Sequence, residues 1–232
     1  DDLAIIVRRR RPHNRLGFAI QLCALRYPGR LLRPGELIPD TPLAFVAEQL
    51  QIAPEVLADY ATRGPTRYEQ LDALREGFGF TQFSRPLRAA LQEWLLPIAL
   101  TTTSGAGLAR SLLGECRRRR IIVPGISSVE RMVAQALLDA ERHVAEHLTR
   151  GLETGQRRLL DALLLPHAGT NLSGLGWVRQ PPGKPGRKTF AVIIRRLALL
   201  RDIGIDPDIA AGIHPERLRR LCQEGARLTA QH

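Results

Sequence analysis

The sequence predicts an all-α protein built as two tandem helical domains with helix-turn-helix-like units. Apolar residues recur at three- and four-residue spacing in segment after segment. Proline and glycine clusters separate those segments, and no period-two pattern long enough for a convincing strand occurs anywhere.

In chain order, the run Arg8-Arg9-Arg10-Arg11 leads through Pro12-His13-Asn14-Arg15 into a helix whose Leu16, Ile20, Cys23 and Ala24 share one face. Tyr27-Pro28-Gly29 ends it, since proline cannot continue a helix and glycine tolerates the turn. Four adjacent arginines repel one another and gain nothing from a core, so an anionic partner is the simplest reason to keep them together; a solvated basic face is the alternative. After a proline-rich connection over 31–42, Thr41 is the expected cap of a helix striped by Leu43, Val46, Ala47 and Leu50. Pro54 opens a second helix with Val56, Leu57 and Tyr60. Small Ala47, a tight turn and Leu57 fit a helix-turn-helix, and an ordinary helical hairpin fits them as well. Glu55 and Asp59 make that second helix a poor phosphate face, so Arg63, Thr66, Arg67 and Tyr68 just beyond it suit DNA better. A helix from about Arg67 to Glu76 completes a first domain, residues 1–83, and the phenylalanines of the linker Gly77–Phe83 are expected to pack on a neighbour.

The second domain spans 84–232. Leu87, Leu91, Trp94 and Leu95 mark a helix that Pro97 kinks or ends. Thr101–Gly107 reads as a helix start whose free N–H groups could hold a phosphate, although neither a P-loop lysine nor a preceding strand accompanies it. Leu108, Leu112, Leu113 and Cys116 stripe the next helix, which runs into Arg117-Arg118-Arg119-Arg120. That is a third cationic site, or simply a complement to the helix dipole. Ile121–Gly125 turns the chain, and Ser127 with Glu130 forms the expected capping box of a long helix carrying Val129, Met132, Val133, Ala136, Leu137, Ala140, Val144 and Leu148. Ser127, Ser128 and Arg131 at its start are placed to meet DNA. Helical residues 153–165 lead to a basic Gly/Pro loop at 168–188 containing Lys184, Arg187 and Lys188. Thr189 then begins a helix with Val192, Ile193, Leu197 and Leu200, and Pro207 and Pro215 open two short final segments.

A net charge of +11 is concentrated rather than spread. Residues 1–33 hold eight arginines against Asp1 and Asp2, and residues 176–201 hold seven cations and no acid. Such clustering is an electrostatic footprint for a polyanion. Aromatics at 5% supply little stacking surface for single strands or RNA, and no apolar run approaches a membrane span. Cys23, Cys116 and Cys222, odd in number and widely spaced, suit small core positions in a reducing cytoplasm better than a disulfide framework or a zinc site. His143-Val144-Ala145-Glu146-His147 fits the H-x-x-E-H pattern of some zinc peptidases, but no third ligand is evident and the pair borders the apolar stripe. His13 beside Asn14 lacks an identifiable nucleophile. The residues therefore offer no catalytic site, no metal site and no cofactor.

The run His13-Asn14-Arg15-Leu16-Gly17, with Gln21 and Leu25-Arg26-Tyr27-Pro28-Gly29-Arg30, resembles the amino-terminal region of Tn-three family transposases. The later order of Ala47-Glu48-Gln49-Leu50, Leu57-Ala58-Asp59-Tyr60, Ile121–Gly125 and Arg131-Met132-Val133 is similar to that family too, so the resemblance covers most of the chain. It implies non-catalytic, sequence-specific binding of double-stranded DNA at transposon terminal inverted repeats, alongside other transposase subunits, in the bacterial cytoplasm at the nucleoid. The family's metal-dependent cutting site lies in a carboxy-terminal domain that nothing here matches. The chain starts at Asp1 without Met and stops at His232 within a helical pattern, as expected of a fragment. The phosphate-binding set is expected at Arg8, Arg9, Arg10, Arg11, Arg117, Arg118, Arg119, Arg120, Lys184, Arg187 and Lys188. His13, Asn14, Arg15, Thr66, Arg67, Ser128 and Arg131 are expected to read bases, with Arg63 and Ser127 beside them. The alternative is a helical scaffold for assembly with only non-specific DNA contact.

Overall fold

A computed structural model describes residues 2–33, 35–60 and 64–230, and of residues 64–67, 207 and 228–230 the backbone alone. The described chain is all-α, with only two isolated bridges, Thr81 with Ile121 and Pro166 with Ser173. It divides into two compact units, Asp1–Glu93 with Ala106–Val133, and Trp94–Gly105 with Ala134–His232.

In the first unit a short helix α1 (Asp2–Val7) precedes α2 (Pro12–Arg26), the element on which the unit is built. One side of α2 buries Phe18, Ala19, Leu22 and Leu25 against Ile6, Leu74 and Ile122. The other buries Leu16 and Ile20 against Ala47, with Val56 and Leu57 alongside. Full burial of each large side chain contributes about 1.5–3 kcal/mol, so α2 is held from both sides. The single apolar face expected of it is thus an underestimate, and Cys23, expected in that face, is exposed. Gly17 sits under Tyr60, whose ring lies 2.1 Å from where a Cβ would be. The buried amide of Gln21 holds the connection after α2, accepting from the Leu32 N–H at 3.1 Å and donating to its carbonyl at 3.4 Å.

Helix α3 (Asp40–Leu50) starts one residue before the expected cap Thr41, with Asp40 in its first turn complementing the helix dipole. Gln51 closes it in the left-handed region at φ 55°. The next element is a six-residue 3₁₀ helix, Pro54–Asp59, in place of the expected α-helix. Its i to i+3 bonds, Val56 N–H to Ala53 and Tyr60 N–H to Leu57, bring Leu57 and Tyr60 down onto α2 in very few residues. Ala47 accordingly meets α2. Helix α4 (Gly64–Phe78) comes after it, and Phe78 and Phe80 pack on the α2 core, as expected of the linker phenylalanines.

Helix α5 (Arg85–Thr101) continues through Pro97 instead of ending there. Helix α6 (Gly105–Arg118) buries Leu108, Leu112 and Cys116, and α7 (Ile126–Arg150) buries Val129, Met132, Val133, Ala136, Ala140 and Val144. The expected capping box does not form at Ser127: α7 is already helical at Ile126, and the Gly125 carbonyl accepts from Ser128 and Val129. The second unit adds α8 (Thr154–Ala162), α9 (Gly174–Arg179), α10 (Arg187–Ile203), a 3₁₀ turn Pro207–Ala210 and α11 (Pro215–Ala230), the last far longer than expected. Helix α9 stands within the segment 168–188, capped by the Ser173 hydroxyl accepting from the Gly176 N–H at 3.1 Å.

Candidate nucleic-acid interface

Arg8 to Arg11 link α1 to α2 and end at the first turn of α2, where the extended backbone of Arg11 and the ring of Pro12 start the helix. No side chain caps this terminus and no acid lies in its first turn. Part of the basic group is built into the fold. The Arg9 guanidinium stacks over the Phe18 ring at 4.3 Å, and the Arg9 carbonyl accepts from Arg15 Nε at 2.7 Å. Arg8, Arg10 and Arg11 are exposed, without a carboxylate partner among the described residues. A helix N-terminus carries about half a positive charge, so cations there are disfavoured by about 0.3–1 kcal/mol each until an anion arrives. His13 and Asn14 are half-buried on the same first turn.

The second arginine run lies at the other end of a helix. Arg117 to Arg120 close α6, where the dipole favours them. Arg118 and Arg119 both pair with the buried carboxylate of Glu115, at 2.6 Å each. Hydrogen bonds from Arg118 chiefly, and then Arg119, hold that carboxyl at about 2 against its burial. Arg120 adopts φ 52° and donates to the Phe78 carbonyl at 2.9 Å, while Arg117 stacks over Tyr27 at 5.1 Å. Burial pushes the neighbouring Cys116 thiol up to about 11, which leaves it an inert core residue.

At the start of α7, Arg131 is exposed and folds back, Nε donating to the Ser127 carbonyl at 3.1 Å with the Ser128 hydroxyl at 3.5 Å. In the second unit Lys184, Arg187 and Lys188 are exposed around the first turn of α10, which contains no acid. The Thr189 hydroxyl donates to the Lys184 carbonyl at 2.7 Å and ties the loop to the helix. Of the remaining expected residues, Arg63 lies outside the described residues; Thr66 and Arg67 are in α4, with their side chains outside the description.

Helix α2 has 15 residues and is thus about 22 Å long, so it separates the cluster at its start from the α6 arginines, which pack near its end. Duplex DNA presents about 13 phosphates over that length. Within the expected phosphate-binding segment 101–107, the donors of Thr103 are taken by the chain's own acid: the Glu216 carboxylate accepts from the Thr103 N–H at 2.9 Å and the Thr103 hydroxyl at 2.7 Å. The neighbouring Arg217, 2% exposed, donates from Nε to the Ala99 carbonyl near the end of α5. His143 and His147 lie on the exposed side of α7, and a His147 ring nitrogen is 3.1 Å from the Ala211 carbonyl. Arg26, which stands in the Leu25–Arg30 motif but not among the expected DNA-binding residues, pairs with Asp2 and lies over Phe78 at 5.6 Å. Its place in the last turn of α2 is a further sequence signal.

Residues 1–136 match a family described as a domain of unknown function, DUF4158. The chain is 36% identical over 228 residues to the transposase for transposon Tn21 of Escherichia coli, and 35% identical over 228 residues to that for Tn501 of Pseudomonas aeruginosa. It is 32% identical over 228 residues to that for Tn1546 of Enterococcus faecium. These alignments take in 98%, 98% and 97% of this chain, which spans 23% of the length of each relative.

Proposed function

We propose, from the premise that this chain belongs to the DUF4158 family and is similar to bacterial transposases along nearly its whole length, that it is the DNA-binding, non-catalytic amino-terminal part of a transposase. Its ligand is double-stranded DNA at the terminal inverted repeats of a transposon, which it binds together with other transposase subunits. One observation carries this reading: Arg8, Arg10 and Arg11 stand exposed at the uncapped positive end of α2, a helix clamped on both sides by the core. Cations kept where a helix dipole opposes them are compensated when an anion binds. The start of α10, with Lys184, Arg187 and Lys188, repeats the arrangement in the second unit, so each unit has its own phosphate-gripping helix start. Base reading falls to His13, Asn14 and Arg15 on the first turn of α2 and to Ser127, Ser128 and Arg131 at the start of α7, with Arg63, Thr66 and Arg67 as further candidates. No helix among the described residues is long and apolar enough to cross a membrane. The site of action on this reading is the nucleoid.

A second reading, a scaffold for transposase assembly, draws on exposed apolar residues such as Phe190, Ile194 and Leu197 along α10. Fluorescence anisotropy separates the two, using the terminal repeat and a shuffled duplex of equal length over a range of salt. A preference of about a thousandfold or more that persists as salt rises is expected of repeat recognition. Equal, steeply salt-dependent binding to both duplexes would transfer specificity to the rest of the transposase and leave this region the scaffold role.

A further inference from the structure

We infer that Arg26, Arg117 and Arg120 form a phosphate-binding cleft in the first unit, and that Asp2 competes with the phosphate for it. The inference rests on the DNA-binding reading and identifies which arginines of the second run grip the backbone. The cleft, of about 210 Å³, is lined by Leu25, Arg26, Phe78, Phe80, Arg117 and Arg120. The ends of α2, α4 and α6 meet there, which would ordinarily disfavour an anion. Here several of the terminal carbonyls are already engaged: Cys23 and Ala24 accept from Tyr27, Gly29 and Arg30, Arg75 from Phe80, Cys116 from Ile121, and Phe78 from Arg120 itself. What remains is guanidinium charge over an apolar floor of Leu25, Phe78 and Phe80, where low polarity strengthens an ion pair. Two of the three guanidinium groups are held by aromatic rings, Arg117 over Tyr27 at 5.1 Å and Arg26 over Phe78 at 5.6 Å, and the third by its bond to Phe78. They are thus oriented before a ligand arrives, and planar guanidinium groups match phosphate oxygens well.

Arg118 and Arg119 are excluded because both are paired with Glu115. The carboxylate that the structure places on the cleft's own arginines is Asp2, with Oδ1 2.7 Å from Arg26 Nη2 and Oδ2 on Nη1. Three guanidinium charges against one carboxylate leave the cleft cationic, with Arg26 released when Asp2 is neutralised. A duplex phosphate diester and a free phosphate share the chemistry this site recognises.

The test uses the 232-residue chain and the repeat duplex. Arg117→Gln/Arg120→Gln should lower the log–log salt slope by about 0.9 and weaken binding about fivefold near physiological salt, since one phosphate contact is lost. Arg118→Gln/Arg119→Gln should leave the slope unchanged. Asp2→Asn should strengthen binding about two- to fivefold, an opposite sign that a purely structural role for the cluster would not produce. An unchanged slope in a folded Arg117→Gln/Arg120→Gln chain, or weaker binding by Asp2→Asn, would overturn the cleft. If the unmodified chain bound no duplex, the DNA-binding reading would fail by itself. The cleft is then read by titrating inorganic phosphate and following the Nε–Hε NMR signals of Arg26, Arg117 and Arg120. Saturable shifts in these three support a free-phosphate site, and their absence rejects it. The same titration serves if the double variant does not fold.

Discussion

Two runs of four arginines, Arg8 to Arg11 and Arg117 to Arg120, are alike in composition and opposite in use. The first precedes a helix and the second closes one. At the start of α2 the dipole opposes the charges, no acid lies in the first turn, and three of the four side chains are exposed. At the end of α6 the dipole favours them; the fold neutralises Arg118 and Arg119 through Glu115 and fixes the orientation of Arg117 and Arg120 through Tyr27 and the Phe78 carbonyl. The same residue type is left as an unpaired cation along most of the first run, whereas half of the second run is consumed by an internal ion pair. Counting arginines therefore overstates the charge that a polyanion can meet.

The contrast breaks most visibly at the first run. Arg8→Gln/Arg10→Gln/Arg11→Gln should remove up to three phosphate contacts, reducing the salt slope by about 2.7 and affinity by about a hundredfold near physiological salt. Thermal stability should hold or rise, because cations leave the positive end of a helix. Anisotropy titrations with parallel melting curves check this, and a large fall in Tm with unchanged DNA affinity would reverse the roles of the two runs. At the second run, Arg118→Gln/Arg119→Gln should instead lower stability measurably, since the Glu115 carboxylate is left without its partners. Denaturant unfolding measures that loss, and a cost near zero would mean that Glu115 does not organise the end of α6.

The smallest effect sharpens the same point through pH. The Glu115 carboxyl is held at about 2 in the folded chain, below its ordinary 4.5. Its pairing therefore stabilises the fold fully above about pH 4.5 and is lost as pH falls through about 2. Glu115→Gln should flatten the acid side of the stability profile between those values. Glu36, held at about 2 chiefly by its hydrogen bond from Arg30, should leave a residual slope there. Tm measured across that range in both proteins decides it, and superimposable acid limbs would remove Glu115 from the account.

Helix existence is legible in the sequence along most of the chain, and long-range contacts explain where legibility stops. The stripes Leu108, Leu112 and Cys116, and Val129, Met132 and Ala136, are buried as their spacing implies, because period 3.6 is a local property. Phe18, outside the expected face, is buried because α2 is covered on more than one side, so a one-face pattern undercounts its core, while Cys23, expected in that face, is exposed. The Pro54 segment is a 3₁₀ helix because its length is set by the distance back to α2. Glu115 is within reach of sequence reasoning, three and four residues before Arg118 and Arg119. Arg26 is not, because its partners Asp2 and Phe78 are distant in sequence.

The sequence by itself determined the all-α class, the turns at proline and glycine and the positions of the charge runs, all of which depend on residues within a few places of one another. Only the tertiary structure decided which cations are available to a ligand. Availability depends on carboxylates, ring faces and carbonyls brought in from elsewhere in the chain. Glu216 taking the donors of Thr103 and Phe78 orienting Arg120 are contacts between residues 113 and 42 positions apart, and no local pattern encodes them.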